Sequence, residues 1–327
     1  MNLGIVGTGM ISQIVVPHLK EWGCNPVAIA GTPETIRQAR ELCKSAEIPH
    51  AFNSYNELLD DQRIDTVYLA VPNSLHHPFA MQALEAGKHV IVEKPLCSTA
   101  REAEELSRES RARGLMLFEA ITTLHLPNFH LIKRLLPHLG DIKLASTNYS
   151  QYSSRYDRFR KGEILPAFDP AKSGGAIMDL GLYNMHYLMG LFGVPRDVRY
   201  AANIERGIDT SGAATLEYGH FLAVSVAAKD CAAPACCLIE GTNGYLIQHS
   251  AANACGAITM HLNDGTEEVY DENPEMRWES EFRSIARMIN ERDTEACHEL
   301  LDHSVAVARI ITKARKTAGI VFPADAE

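Results

Sequence analysis

The sequence has no long hydrophobic run and no excess of positive charge. None of its apolar stretches reaches the roughly 18 to 20 residues that span a bilayer, and its first residues form a strand pattern instead of a basic and apolar leader. The formal net charge is −10, from 41 acidic and 31 basic residues. Nucleic acid and anionic membranes both require a positive surface. We therefore expect a cytoplasmic protein that binds neither of them.

The sequence also lacks the residue spacing of a metal site. Its eight cysteines are scattered, and the densest group, Cys231, Cys236 and Cys237, has no C-x-x-C pair of the zinc type. The fourteen histidines include no H-x-x-x-H pair on an obvious helix face. We expect reduced, mostly buried thiols and no bound metal.

The length of 327 residues, with 46% hydrophobic and 22% charged residues, suggests two domains. In the first third, short apolar runs alternate with helical stretches, which is the pattern of βαβ units. The pattern predicts a doubly wound α/β domain over residues 1–121 with a parallel sheet. Its predicted strands are Leu3–Gly7, Pro26–Gly31, Asp65–Val71, His89–Glu93 and Leu115–Ile121.

Helix starts in this domain carry recognisable signals. Thr32 followed by Pro33 predicts an N-cap and a first helical residue, and Thr99 with Glu102 predicts a capping box. Glycines mark the expected helix ends before the fourth and fifth predicted strands. These signals support the alternation of strands and helices.

Residues 122–327 have a different hydrophobic pattern, which predicts an α+β domain. The stretch "IKLASTNYSQYS" alternates apolar and polar residues as a half-exposed strand does. The turn signals "TNG" and "NDG" favour hairpins and therefore a largely antiparallel sheet. Two amphipathic helices close the chain, and the last of them could pack back on the first domain.

A glycine-rich turn follows the first predicted strand. Gly7 and Gly9 precede a helix that begins with Met10 and Ile11, and Ser12 stands at the third glycine position of the dinucleotide fingerprint. In that fingerprint, glycines let the backbone approach a pyrophosphate at the helix N-terminus. The alternative is a turn whose glycines only relieve packing. The position in the first βα unit favours a bound dinucleotide.

The end of the second predicted strand bears on the choice of cofactor. An acid there usually binds the ribose 2′-hydroxyl of NAD, but this chain reads Ala30, Gly31, Thr32. Thr32 with Arg37 could accept the 2′-phosphate of NADP. Alternatively, Thr32 only caps its helix and Arg37 lies in solvent. We slightly favour NADP over NAD.

The stretch "VIVEKP" ends a buried strand on Glu93, Lys94 and Pro95. Proline has no amide donor and a fixed φ, so the strand must end there with the lysine at its rim. The alternative is a surface ion pair, which stabilises little. We interpret Lys94 as a functional residue that Pro95 keeps at the end of the strand.

Three stretches together resemble the Gfo/Idh/MocA family of NAD(P)-dependent oxidoreductases. They are "GIVGTGMIS" from Gly4, "VPNSLHHPFAMQALEAGKHVIVEKPL" from Val71, and "SGGAIMDLGLYNMHYLMGLFG" from Ser173. The resemblance implies that Lys94 is a catalytic lysine reaching the substrate near the nicotinamide, that Glu93 orients it or the nicotinamide ribose, and that the peptide before Pro95 is often cis.

The resemblance also implies a second catalytic segment in "DLGLY". Asp179 and Tyr183 lie four residues apart, one helical turn, so both are expected on one helix face. Tyrosine at the later position is similar to the glucose-fructose oxidoreductase and dimeric dihydrodiol dehydrogenase branches. The chain departs from that branch at Ala167, where an arginine often precedes the F-D-P element.

Further residues are carried over from the family pattern. Pro72 and Asn73 match a position along the cofactor, with His76 beside them, although a histidine at a helix start is more often a packing or capping group. His125 matches a family histidine near the nicotinamide end. His186 could contact substrate or be hydrogen-bonded in the domain interface, and the two alternatives are equally weighted.

The implied activity is hydride transfer between a nicotinamide and a sugar, polyol or dihydrodiol, with Lys94 and Tyr183 sharing the proton transfer. Two alternatives on the same fold are a dinucleotide-sensing regulatory protein and an NAD-dependent glycosidase. Family members often pair through the sheet of the second domain. We therefore expect a homodimer or a homotetramer.

Overall fold

The computed structural model describes residues 1–326, which form two compact units. The first unit comprises Met1–Ala120 and Trp278–Val305. The second comprises Ile121–Arg277 and the segment from Ala306 onward. A stretch near the C-terminus therefore completes the core of the first unit.

The sheet of the first unit is the predicted parallel one. Its six strands lie in the order β3-β2-β1-β4-β5-β6, all parallel, which is the Rossmann order. The short third strand was not predicted, because its three half-buried residues form no apolar run. The strands are β1 (Asn2–Val6), β2 (Asn25–Ala30), β3 (His50–Phe52), β4 (Thr66–Leu69), β5 (His89–Glu93) and β6 (Leu117–Ala120).

Helices connect these strands. The predicted capping box is confirmed: Thr99 Oγ1 accepts from the Glu102 amide, and the Glu102 carboxylate accepts from the Thr99 amide. The glycines expected at two helix ends, Gly87 and Gly114, both have positive φ. The helices are α1 (Met10–Val15), α2 (Ile36–Ser45), α3 (Tyr55–Asp60), α4 (His76–Glu85) and α5 (Ala100–Ala112).

The predicted start of α2 is wrong. The helix begins at Ile36, and Pro33 lies in the turn before it. The Thr32 amide donates to Thr35 Oγ1 at 2.8 Å, so Thr32 is bound within the turn and is not the N-cap. Both threonines resemble caps in the sequence, and only the turn geometry separates them.

The second unit contains an eight-stranded sheet in the order β14-β13-β12-β11-β7-β10-β9-β8. Every neighbouring pair is antiparallel except β7 and β10, which are parallel. The strands are β7 (Ile142–Ser150), β8 (Asp197–Glu205), β9 (Ile208–Glu217), β10 (Leu222–Ala228), β11 (Cys236–Gly241), β12 (Gly244–Gln248), β13 (Ile258–Leu262) and β14 (Glu267–Tyr270).

The hairpin predictions are confirmed. The "TNG" turn joins β11 to β12, and the "NDG" turn joins β13 to β14. Gly244 and Gly265 in these turns both have positive φ, which glycine adopts without steric cost. The sheet is therefore largely antiparallel, as expected.

Three helices precede or follow these strands, and two long helices close the chain. A π-helical turn, Ile177–Gly181, leads directly into α8 and packs on β10, where Ala176 and Leu180 contact Ala227. The helices are α6 (Pro127–Leu135), α7 (Tyr156–Arg160), α8 (Leu182–Phe192), α9 (Arg277–Glu291) and α10 (Thr294–Thr317).

Helix α9 contributes aromatic packing to the first unit. The Phe282 ring stacks on Trp22 at a centroid distance of 5.9 Å and meets the Tyr68 ring edge-on at 5.4 Å. All three side chains are almost fully buried. This packing explains why residues 278–305 belong to the first unit, far from it in sequence.

Within residues 1–326, no helix combines the length and apolar character needed to cross a membrane. Among the same residues, no three His, Cys, Asp or Glu side chains come together in a group that could hold a metal ion.

Candidate active site

The glycine-rich turn between β1 and α1 has the shape that a pyrophosphate requires. Gly7 has φ of +108°, and a Cβ there would lie 2.2 Å from the carbonyl oxygen of Ala70, so only glycine fits. A Cβ at Gly9 would meet nothing within 4 Å, which leaves open space before the first helical amides. Ser12 at the third position is fully buried. The residues present therefore fit a bound dinucleotide.

The first residues of α1 differ in exposure. Met10 is one of the most exposed large hydrophobic side chains, and Ile11 is partly buried. Thr8 is held in the turn, since its hydroxyl donates to Gln38 Oε1 at 2.9 Å. The turn is thus tied to α2, the helix that follows β2.

Two charged residues that bear on the cofactor choice follow β2: Glu34 in the turn and Arg37 in the first turn of α2. Arg37 is 88% exposed and pairs with Glu41, with 3.0 Å between Nε and Oε1. The exposed Glu34 carboxylate accepts a hydrogen bond from Thr32, which lowers the pKa of Glu34. The sequence prediction considered only the strand end itself and overlooked this acid.

His76 has a structural position that the sequence did not reveal. It is fully buried at the start of α4. Its Nδ1 lies 2.7 Å from the carbonyl oxygen of Pro95, and its Nε2 lies 2.9 Å from that of Val71. The ring therefore links the turn after β4, which carries Pro72 and Asn73, to the turn after β5. Both ring nitrogens are committed to the backbone.

Electrostatics at His76 act in opposing directions. Burial lowers the pKa of His76, whereas the two carbonyl contacts and the nearby Glu119 act to raise it. A neutral imidazole donates to one carbonyl, and an imidazolium donates to both. The imidazolium, or the neutral ring protonated at Nδ1, donates to the Pro95 carbonyl and so ties the Pro95 turn to α4.

The turn that carries Lys94 is fixed on both sides. The Lys94–Pro95 peptide bond is cis, as expected from the resemblance. After it, the Leu96 amide donates to Glu119 Oε1 at 2.8 Å. Before it, Glu93 Oε1 accepts from the Tyr68 hydroxyl at 2.6 Å. The half-buried Lys94 thus stands on a backbone held by buried groups.

In the second unit, Asp179 and Tyr183 lie on one continuous helical segment, but it is not the regular helix expected. Asp179 lies in the π-helical turn Ile177–Gly181, and Tyr183 lies in the first turn of α8. Such π turns are frequent at functional sites. The Asp179 side chain is 34% exposed, and Tyr183 is nearly buried.

The start of this segment is anchored by a buried carboxylate. Asp209 Oδ2 accepts from the Ile177 amide at 2.7 Å and from the Tyr200 hydroxyl at 2.8 Å. Burial raises the pKa of Asp209, with these hydrogen bonds opposing the shift. A Cβ at Gly175 would lie 2.1 Å from Asp209 Oδ1, and Gly175 has φ of +106°. The glycine therefore lets the carboxylate approach the segment.

Tyr183 packs beside a second tyrosine. The rings of Tyr183 and Tyr149 lie 6.2 Å apart between centroids, tilted by 51°. The Tyr149 hydroxyl accepts from the Asn253 side-chain amide at 3.0 Å. This contact orients the ring against which Tyr183 lies.

Lys229 is a site residue that sequence reasoning missed. Its Nζ lies 2.6 Å from Asp179 Oδ2, and its side chain is 3% exposed. The sequence contained one signal, since Lys229 directly follows the apolar strand β10 in the way that Lys94 directly follows β5. The contact itself spans fifty residues of sequence, which no local pattern reveals.

The two remaining predicted histidines differ from each other. His125 ends a short 3₁₀ helix and is partly exposed. Burial lowers the pKa of His125 to about 4, so the ring is uncharged at neutral pH. His186 is fully buried in α8, which favours the packing alternative over an open substrate contact.

The parallel sheet and the glycine turn define a dinucleotide-binding domain of the Rossmann type. Residues 1–121 match the oxidoreductase family with an NAD-binding Rossmann fold, and residues 136–247 match the GFO/IDH/MocA C-terminal domain. The chain belongs to the Gfo/Idh/MocA family.

Two curated relatives are named as dehydrogenases. A scyllo-inositol 2-dehydrogenase (NADP(+)) of Bacillus subtilis (strain 168) is 35% identical over 297 residues, which cover 89% of each chain. A trans-1,2-dihydrobenzene-1,2-diol dehydrogenase of Oryctolagus cuniculus is 28% identical over 317 residues, covering 91% of this chain and 92% of the relative.

Solved structures share the fold. A 3-ketoreductase from Actinomadura kijaniata in complex with NADP and TDP-benzene has a TM-score of 0.84 at 22% identity, with 97% of each chain covered. A levoglucosan dehydrogenase in complex with NADH and levoglucosan has a TM-score of 0.83 at 17% identity, covering 98% of this chain and 97% of the other.

Proposed function

We propose that the protein oxidises a ring CH–OH group of a neutral polyol or sugar, or reduces the corresponding ketone, with NADP(H). The inositol dehydrogenase relative supports a polyol, and the dihydrodiol dehydrogenase relative supports a dihydrodiol as the alternative within the same reaction class. The carrying observation is the turn at Lys94, where the carbonyl of Pro95 and the amide of Leu96 are both held by buried side chains. A lysine on such a support keeps its position, as a catalytic group must.

In this proposal, three side chains act on the substrate. The nicotinamide, when bound, accepts or supplies the hydride. Lys94 polarises the reacting oxygen, and Tyr183 transfers the proton at that oxygen. Asp179 accepts a hydrogen bond from a neighbouring substrate hydroxyl and so orients the ring. Glu93, whose Oε1 is bound to Tyr68, stabilises the strand end that carries Lys94.

The test is turnover followed by reduced-nicotinamide absorbance, with inositols, sugars and dihydrodiols as substrates. We expect Lys94→Met and Tyr183→Phe each to lower kcat by about 100-fold or more, since a positioned proton-transfer group contributes about that much. Lys20→Met is the control, because Lys20 is an exposed lysine of the same unit. Full activity in Lys94→Met would refute the assigned role.

The preference for NADP rests on the turn after β2. The position at the strand end is Thr32 and not an acid, Arg37 lies on the first turn of the next helix, and the Bacillus relative is named for NADP. We propose that Arg37 leaves Glu41 to contact the 2′-phosphate. Comparing kcat/KM for NADP and NAD decides the preference.

We also propose that the chain forms a homodimer, or a dimer of dimers, through the open face of the second sheet. Exposed apolar side chains lie there in register, with Leu222 paired to Leu144 across β10 and β7, and Tyr245 nearby on β12. A second copy would cover this face. We expect Leu222→Asp to lower the molar mass measured by light scattering after gel filtration, and Val194→Asp, an exposed loop control, to leave it unchanged.

A reducing compartment is a further element of the proposal. All eight cysteines are free thiols, and six of them are buried. Unpaired thiols are typical of proteins kept in the cytoplasm. We therefore propose a cytoplasmic location, which fractionation of the native cell would test.

A further inference from the structure

Lys229 is a nearly buried ammonium group whose contacts all lie in the second unit. It follows the last residue of β10, and its backbone is fixed on both sides. Its amide donates to the Thr210 carbonyl at 2.8 Å, and its carbonyl accepts from the Ser153 amide at 2.8 Å. The side chain therefore starts from a rigid point and reaches inward.

The ammonium group contacts a carboxylate oxygen, a backbone carbonyl oxygen and the face of an aromatic ring. Nζ lies 2.6 Å from Asp179 Oδ2, 3.0 Å from the carbonyl oxygen of Ala167, and 4.8 Å from the centroid of the Phe168 ring. A lysine ammonium has three donors and no acceptor. Asp179 Oδ2 is therefore an acceptor in this contact. A charge this deeply buried requires such compensation.

These contacts close a ring of hydrogen bonds. The Ala167 carbonyl also accepts from the Gly175 amide at 3.1 Å, and the Gly175 carbonyl accepts from the Asp179 amide at 3.1 Å. Starting from Lys229, the path therefore runs through Ala167, Gly175 and Asp179 and returns to Lys229. The ring ties the loop before the π turn to the carboxylate in the turn.

Residue 167 contributes only its backbone to these contacts, because alanine has no side chain beyond Cβ. The cation beside the Ala167 carbonyl is Lys229, which directly follows β10.

We propose that Lys229 is a positioning residue that fixes Asp179 as a hydrogen-bond acceptor for a substrate hydroxyl. Because the carboxylate is fixed as an acceptor, the substrate atom facing it must be a donor. A hydroxyl group fits there, whereas a ketone or a carboxylate of the substrate is rejected. This inference deepens the proposed function and rests on it for the identity of the substrate.

The decisive variant is Lys229→Met, which keeps the length of the side chain and removes the charge. We expect the KM for the polyol to rise at least about tenfold, since a hydrogen bond to a charged group is lost from its fixed geometry, while the KM for NADP changes less than about twofold. We also expect a smaller preference for the polyol over its deoxy analogue. Lys229→Arg keeps the charge, so its polyol KM and its preference for the polyol should both lie between those of Lys229→Met and the wild type.

The double variant Lys229→Met/Asp179→Asn separates positioning from general destabilisation. If Lys229 acts through Asp179, the two effects on kcat/KM are strongly non-additive. Lys133→Met is the matched control, because Lys133 also lies over an aromatic ring, Phe129 at 5.1 Å, but on exposed α6 surface. Additive effects in the double variant, or an unchanged polyol KM in a folded Lys229→Met, would overturn the proposal.

Hydrogen exchange provides a readout that needs no turnover. We expect amides of residues 167–181 to exchange faster in Lys229→Met, with those of 4–12 unchanged. If the wild type turns over no polyol, sugar or dihydrodiol, the proposed function fails, and exchange still tests the positioning role. Unchanged exchange in 167–181 would show that Lys229 does not fix the segment, whatever the substrate is.

Discussion

The Nδ1 atom of His76 lies 2.7 Å from the carbonyl oxygen of Pro95, the residue after Lys94. His76 is the first residue of α4, and its other ring nitrogen meets the Val71 carbonyl in the turn after β4. One buried ring thus lies between the turns that follow two neighbouring strands. His76, which resembled a cofactor contact in the sequence, thus packs against the turn that carries Lys94.

Replacing His76 should damage catalysis through the position of Lys94. In His76→Gln we expect kcat/KM to fall about tenfold or more and the free energy of unfolding to fall by about 1–3 kcal/mol, because a buried carbonyl loses its donor. Steady-state kinetics and urea unfolding measure the two effects.

The neighbouring histidine offers the control. His77 contacts Glu105 at 3.2 Å between Nε2 and Oε2 near the surface of the same unit, and such pairs contribute little. His77→Gln should therefore stay within about 0.5 kcal/mol of the wild type and keep its activity. Equal losses in both variants would mean that α4 itself, and not the Pro95 contact, is sensitive.

A single methyl group at Gly175 should strongly destabilise the second unit. Alanine there would bring Cβ to 2.1 Å from Asp209 Oδ1 at a φ of +106°. We expect Gly175→Ala to lower the free energy of unfolding by about 3 kcal/mol or more, since strain and a buried polar contact are disturbed together.

Gly193→Ala separates the effect of backbone strain from that of the close approach to Asp209. Gly193 also has positive φ, +79°, but a Cβ there would meet nothing within 4 Å. We expect a loss of only about 1 kcal/mol, from backbone strain alone. Denaturant unfolding of both variants gives the comparison, and similar losses would show that the approach of Asp209 is not the cause.

Much of this fold was predictable because its signals are local. The capping box at Thr99, the strand end at Pro95 and the glycine turn at Gly7 each depend on a few adjacent residues whose backbone preferences are strong. The resemblance to the family then predicted catalytic roles for Lys94, Asp179 and Tyr183. Each of these features lies within one supersecondary unit.

The features that were missed depend on contacts distant in sequence or on weak local preferences. β3 forms only because β2 offers it an edge, since its own three residues are half-buried. The π turn at Asp179 arises where Asp209 accepts the Ile177 amide, thirty-two residues away. The partner of Asp179 is Lys229, which only the folding of β10 brings near.

His125 predicts a dependence of stability on pH. Its ordinary pKa of 6.5 is lowered by burial to about 4 in the folded chain. Between about pH 6.5 and about pH 4, His125 is protonated in the unfolded chain and still neutral in the folded chain. Stability from this group is therefore present above about pH 6.5 and is lost on acidification, by at most about 1.4 kcal/mol per pH unit.

His125→Gln should remove the contribution of this group to the loss of stability on acidification. We expect the variant to lose less stability than the wild type between pH 6.5 and pH 4 and to show a constant difference from it at higher pH. Urea unfolding at several pH values measures this. Parallel curves through the acidic range would mean that His125 takes up its proton in the folded chain as easily as in the unfolded one.

The turn after β2 predicts two opposite changes in cofactor preference. Arg37→Ala should raise the KM for NADP about tenfold and leave that for NAD unchanged, because the 2′-phosphate loses a charged partner. Glu34→Gln should shift the preference further towards NADP, because it removes a carboxylate from the turn before α2. In the wild type that carboxylate accepts a hydrogen bond from Thr32.

Arg40→Ala is the control: Arg40 lies one turn further along α2 and contacts Asn53. If Arg37→Ala and Arg40→Ala change the NADP/NAD ratio equally, the effect comes from the general charge of the helix and not from a contact to the phosphate.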